Sequence, residues 1–114
     1  MRKTTEILLV FMMMLMPSFG WTHPPADIHL SYDQEGGVLT AEILHPVSNP
    51  EKHFIRLIKV LVNGTEAAEQ QWFVQENPRK QTLKLALPLK TGDKVVIEAY
   101  CNITGKKTRE MVLE

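Results

Sequence analysis

The sequence predicts an all-β protein, a seven-stranded immunoglobulin-like β-sandwich that follows an N-terminal signal peptide. Three observations predict it. Apolar residues alternate with polar ones over short runs, turn residues recur roughly every ten positions, and no segment keeps a 3.6-residue apolar period long enough for a helix.

The N-terminus has the layout of an export leader. Arg2 and Lys3 precede an uncharged apolar run, Ile7 to Met16, which Pro17 breaks, and Ser18 and Gly20 offer small residues for cleavage before Trp21. Ten apolar residues are half of the about 20 that a membrane-spanning helix needs. Residues 1–20 are therefore expected to be removed, leaving a single domain at 21–114 in the periplasm or secreted medium, with no membrane attachment. Without Arg2, Lys3 and Glu6 the mature chain has 11 basic and 12 acidic residues, a net charge of −1. Such a balance excludes a nucleic-acid binder or a protein drawn to anionic membranes.

Seven strand-like segments succeed one another along the mature chain. "ADIHLSY" (26–32) precedes the turn "DQEGG", and "VLTAEILH" (38–45) comes after it. "HFIRLIKVLV" (53–62) runs into Asn63–Gly64, a strong hairpin signal, and "EAAEQQWFVQ" (66–75) returns, although its first half has helical propensity too. "QTLKLAL" (81–87), "KVVIEAYC" (94–101) and "KTREMVL" (107–113) complete the set, separated by "PLKTGD" and "NITGK". With one cysteine the sandwich has no internal disulfide, so Trp72, Phe73, Phe54 and the aliphatic strand faces are expected to supply the core.

Cys101 is a leftover thiol in an exported chain, a candidate for intermolecular pairing, a reactive site, a metal ligand or a small buried hydrophobe. His45 and His53 bracket "HPVSNPEKH", a connection stiffened by Pro46 and Pro50. Loops at one end of a sandwich cluster, so this connection and the loop after Cys101 are expected to face each other. Two imidazoles and a sulfur suit iron, copper or zinc. No Cys-x-x-Cys pair, nucleophile elbow or phosphate loop competes.

Two stretches carry a family resemblance. "HPVSNPEKHFIRLIKVLVNG" resembles the "HP…EKHYIEWIEL…G" segment of the desulfoferrodoxin and neelaredoxin family, the superoxide reductases, and "AYCNITG" resembles that family's "AYCNLHG". The similarity runs from about Ile28 to the C-terminus. It implies an immunoglobulin-like sandwich with a mononuclear non-haem iron held by four equatorial histidines and an axial cysteine, where superoxide is reduced to hydrogen peroxide with an external electron donor. His45 and His53 match two equatorial ligands, Cys101 the axial sulfur, and His23 in "THPPADI" the first ligand, with His29 as the other candidate for that place. Zinc or copper remain open alternatives to iron. The chain departs from the pattern at Thr104, where the family has its last histidine, and in the wider spacing of His45 and His53. It also lacks the family's lysine before the first ligand. A second resemblance, to the Z subunit of the Sox thiosulfate-oxidation carrier, covers "HPV…KHFIRLIKVLVNGTEAAEQQW…NP" and "GDKVV"; it implies a non-enzymatic sandwich with a carrier-protein partner. A second copy of the chain is a further candidate partner. Cys101 followed by Asn102 favours the iron family.

Overall fold

A computed structural model describes residues 24–114; the leader and His23 lie outside the described residues. Seven strands run in order: β1 (Asp27–Asp33), β2 (Val38–Leu44), β3 (Ile55–Val62), β4 (Thr65–Gln71), β5 (Lys80–Ala86), β6 (Lys94–Cys101) and β7 (Lys106–Val112). They form a three-stranded sheet, β1-β2-β5, and a four-stranded sheet, β4-β3-β6-β7, with every pairing antiparallel. This is the sandwich the alternation predicts, with the fourth strand paired to the third. No helix among the described residues is long and apolar enough to cross a membrane.

Period-two patterning places the core. Val95, Ile97, Ala99 and Cys101 point inward from β6, and they meet Ile58 and Val60 of β3 and Leu39, Ala41 and Ile43 of β2, all buried. Each large aliphatic side chain sealed in this way contributes roughly 1.5–3 kcal/mol, which lets the sandwich hold without a disulfide.

Two expectations about the core need correction. Phe73 is not a core residue: it stands 81 % exposed. Phe54 is only half-buried, while Trp72, also half-buried, does pack against the core. The reason is that β4 ends at Gln71 rather than continuing to residue 75, so the apolar run after it leaves the sheet.

A bulge in β3 sets which side chains face inward beside Cys101. Ile55 pairs with Cys101 and Leu57 with Tyr100, which leaves Arg56 as an extra residue opposite no partner. Without it, the parity that turns Ile58 and Val60 inward would turn Ile55 outward. The extra residue brings Ile55 inward beside Cys101 and sends Arg56 into solvent.

At the opposite end, Asn63 (φ 52°) and Gly64 (φ 87°) form the two-residue hairpin turn that their identity predicts, with positive φ at both positions. Asn63 also donates from Nδ2 to the Asp93 carboxylate at 3.0 Å, tying the turn to the start of β6. Asp93 is buried, and the Lys90 backbone N–H, then Asn63 and the Lys90 ammonium, hold its pKa down from the ordinary 3.8 to about 2. The folded carboxyl therefore titrates below the unfolded one, so its contribution is fully present above pH 3.8 and is lost as pH falls towards about 2. Thermal melts followed by circular dichroism from about pH 2 to 5 should show this loss. Asp93→Asn is expected to flatten that limb while leaving the neutral-pH fold in place.

Candidate metal centre

His45, His53 and Cys101 converge at one end of the sandwich, where the connection from β2 to β3 meets the loop from β6 to β7. Their ligand atoms all lie within 4.8 Å of one another. His45 is fully buried, Cys101 is 4 % exposed, and His53 is half-buried. The two rings meet edge to face, 4.7 Å between centroids at 87°.

The chain builds this meeting from short-range chemistry. Asn49 accepts the Glu51 N–H on its side chain and the Lys52 and His53 N–H groups on its carbonyl, so the connection after Pro46 coils back and delivers His53. Asn102 then clamps that connection to the loop after β6. Its Oδ1 accepts the Phe54 N–H at 2.8 Å, its Nδ2 donates to the Lys52 carbonyl at 3.0 Å, and its backbone N–H donates to the Phe54 carbonyl at 3.0 Å. Gly105 (φ 79°) closes the loop, with its carbonyl accepting the Cys101 N–H at 3.1 Å. A Cβ on Gly105 would come within 2.7 Å of the Pro24 side chain, so this position is closed to larger residues by contact as well as by conformation.

Sequence reasoning missed Gln75, the residue that orients His45. Gln75 is 3 % exposed, and its Nε2 donates to the carbonyls of His45 and Asn77, both at 2.9 Å. Its Oε1 accepts the Ile55 N–H at 3.1 Å and faces His45 Nδ1 at 2.7 Å. Carbonyls only accept, so the amide has one orientation here. An amide oxygen also only accepts, so Nδ1 of His45 must carry the proton, and Nε2, sealed from solvent, carries the lone pair. Gln75 thus sets the His45 tautomer, the part an outer hydrogen-bond partner plays where a histidine binds metal. No periodicity or motif distinguishes it from Gln70 or Gln71 in the sequence.

The cysteine sulfur sits 3.2 Å from His53 Nε2 and 3.4 Å from the backbone N–H of Ile103. Metal–sulfur and metal–nitrogen bonds of about 2.3 and 2.1 Å at a right angle span about 3.1 Å. The observed separation matches a pair of neighbouring ligands on one metal.

His29 is not part of this cluster. It projects from the outer face of β1, 58 % exposed, between Asp27 at 3.4 Å and Glu42 at 3.8 Å. That removes it as the additional ligand. Thr104 is exposed in the loop after Cys101. His23 lies outside the described residues.

A seven-stranded sandwich with two imidazoles and a sulfur gathered at one end defines the class of the molecule. The family model for desulfoferrodoxin matches residues 22–108. The chain belongs to the desulfoferrodoxin family. A superoxide reductase solved in its oxidised state superposes with a TM-score of 0.57 at 20 % identity, covering 85 % of this chain and 94 % of that one. The superoxide reductase of Giardia intestinalis gives 0.56 at 19 % identity over 80 % of this chain and 100 % of that one. The reduced neelaredoxin of Archaeoglobus fulgidus gives 0.54 at 20 % identity over 81 % and 89 %. At these identities the likeness is one of fold. No curated protein sequence matches the chain significantly. The fold family implies iron, and the donor set fits it: a soft sulfur with imidazole nitrogens is a ligand combination iron accepts.

Proposed function

We propose that this chain is an exported iron protein that reduces superoxide to hydrogen peroxide, with His45, His53 and Cys101 holding the metal and His23 completing the set. The observation that carries the reading is the convergence of those three side chains within a desulfoferrodoxin-family fold. Iron held there would supply one electron, and superoxide with that electron and two protons from water leaves as hydrogen peroxide. Gln75 keeps the His45 lone pair on Nε2, the nitrogen left to act as a donor atom. The Ile103 N–H and the His53 ring fix the sulfur from two sides, so the donors need little reorganisation to take up a cation. Pro24, the neighbour of His23, lies against Gly105 of the sulfur-bearing loop, which supports His23 as the further ligand. A hydroxyl such as that of Thr104 is a poor substitute for an imidazole. In this reading the single cysteine serves as a metal ligand, and an external donor returns the electron after each turnover. Residues 1–20 act as the export leader in this reading, and the working domain, 21–114, resides in the periplasm or medium.

Anaerobic loading with ferrous iron tests the proposal. The expected result is one iron per chain, a sulfur-to-iron absorption band on oxidation, and rapid consumption of superoxide that yields one hydrogen peroxide per superoxide with no dioxygen. A chain that takes up no iron, or that consumes superoxide no faster than the same iron in buffer, overturns it.

A further inference from the structure

We infer that the groove beside the Cys101 loop is the seat of Trp21, the first residue of the mature chain, and that the seated indole positions His23 at the metal cluster. The inference deepens the iron reading above and rests on it for the role of His23. The seat itself does not depend on metal.

The main chain leads one segment to this place. Pro25 is buried, and the Ala26 N–H donates to the Leu44 carbonyl at 2.7 Å, so the entry to β1 is fixed. Pro24 lies against Gly105, where a Cβ would come within 2.7 Å of it. Gly105 belongs to the loop of residues 102–105 between β6 and β7, and Asn102, at the other end of that loop, is a wall of the groove. The two ends are drawn together, because the Gly105 carbonyl accepts the Cys101 N–H at 3.1 Å. Three residues of the mature chain, Trp21, Thr22 and His23, precede Pro24. Successive prolines favour an extended path, on which three residues reach about 10 Å. That is enough to cross so short a loop.

The lining selects Trp21 from those three. The groove has a volume of about 250 Å³ and is walled by Phe54, Arg56, Gln71, Trp72, Phe73 and Asn102, which are three aromatic rings, a guanidinium and two amides. Phe73 stands almost wholly in water, with half-buried Phe54 and Trp72 in the same wall. Covering them with a further ring removes apolar area from water and allows edge-to-face contacts. An indole is also the ring that a guanidinium favours most. Arg56 lies over the Tyr100 ring at 5.4 Å and has a second face to offer. An indole N–H needs an acceptor when covered. The Asn102 amide is engaged by the Phe54 N–H and the Lys52 carbonyl, whereas the Gln71 amide makes no side-chain hydrogen bond among the described residues. Gln71 is therefore the acceptor. With Trp21 anchored in the groove and Pro24 on Gly105, His23 is held between two fixed points and has less freedom to lose on meeting a metal. Trp21 is a positioning residue, and it touches neither metal nor superoxide.

The mature chain, 21–114, contains all seven strands and the tryptophans Trp21 and Trp72, so Trp72→Phe leaves Trp21 as the sole indole emitter. Without metal, its emission is expected to lie to the blue of free tryptophan and to resist acrylamide quenching. Adding Phe73→Ser should move it to the red. Should Trp72→Phe fail to fold, nuclear Overhauser contacts in the wild-type chain decide the same point: the Trp21 ring is expected to touch Phe54 and Phe73. Ferrous iron affinity then reads the effect on His23. Trp21→Ser is expected to lower it about fivefold, and Trp21→Phe to recover part of the loss. Trp21→Ser should change nothing once His23→Ala is present, whereas a merely structural Trp21 would lower affinity equally in both backgrounds. The proposal is overturned if Trp21 behaves as free indole and makes no groove contacts, or if iron affinity is unmoved or falls equally with and without His23. It is equally overturned if the groove contacts grow with protein concentration and persist in Trp21→Ser, since a second copy is then the occupant. A chain that seats Trp21 but takes up no iron removes the reductase reading, and with it the role of His23, and leaves the seat standing. A chain that loads iron with Trp21 in water overturns the seat alone.

Discussion

Replacing Cys101 with alanine is expected to abolish the sulfur-to-iron absorption band and to reduce superoxide consumption to that of free iron, while the metal-free domain stays folded. The substitution removes one atom from a nearly sealed position at the end of β6. Its packing cost is on the order of 1 kcal/mol, since the neighbouring core is aliphatic and the volume lost is small. The chemical cost is much larger. Sulfur is the soft donor atom of the cluster, and a coordinating thiolate would push electron density onto a metal that, in the proposed reaction, gives an electron away. Two imidazoles without it bind iron weakly and without that push.

Cys101→Ser separates the two contributions. A hydroxyl can still accept the Ile103 N–H and meet His53, so the metal-free melt should lie within a few degrees of wild type. The oxygen is a harder donor and gives no sulfur band. A ligand at 100 times its dissociation constant raises stability by about 2.7 kcal/mol. Ferrous iron should thus raise the melting temperature of wild type and leave both variants nearly unmoved. Retention of the band or of the iron-induced shift in Cys101→Ser would show that the sulfur is not a ligand.

The parts of this molecule legible in its sequence are those decided locally. Strand β6, Lys94–Cys101, is buried at every second residue, and Lys94, Glu98 and Tyr100 mark its outward face in the sequence although Val96 shares that face. Asn63–Gly64 announces a hairpin because few other pairs accept positive φ twice in succession. His45, His53 and Cys101 were legible as a group because sandwich loops cluster at one end and because the flanking motifs resemble a family. What was hidden depends on contacts between distant segments. The bulge at Arg56 is a property of how β3 meets β6, and no residue in "HFIRL" signals it. "WFV" has the composition of a strand, so nothing local tells Phe73 that it will stand in water beyond the end of β4. Gln75 is one of several glutamines in its stretch, and only the folded chain sets it against His45.

Gln75→Leu is expected to destabilise the domain by about 2–4 kcal/mol, because it leaves the buried Ile55 N–H and the carbonyls of His45 and Asn77 without the partner they now share. Iron affinity should fall about 10–100-fold, as it does when the outer partner of a ligating histidine is lost. A drop in stability alone would fit a purely structural residue, so Gln75→Glu is the deciding variant. Glutamate keeps an acceptor for Ile55 N–H and for His45 Nδ1–H, and loses only the two donations to carbonyls. Its carboxylate draws on the Nδ1 proton more strongly than an amide does, which makes Nε2 a more basic donor and favours ferric over ferrous iron. The expected pattern is partial recovery of iron affinity over Gln75→Leu with a midpoint potential below wild type, measured by redox titration of the sulfur band. A structural role predicts lower stability for both variants and an unmoved potential. An unchanged potential in Gln75→Glu would therefore return His45 to the status of a buried histidine that the core merely tolerates.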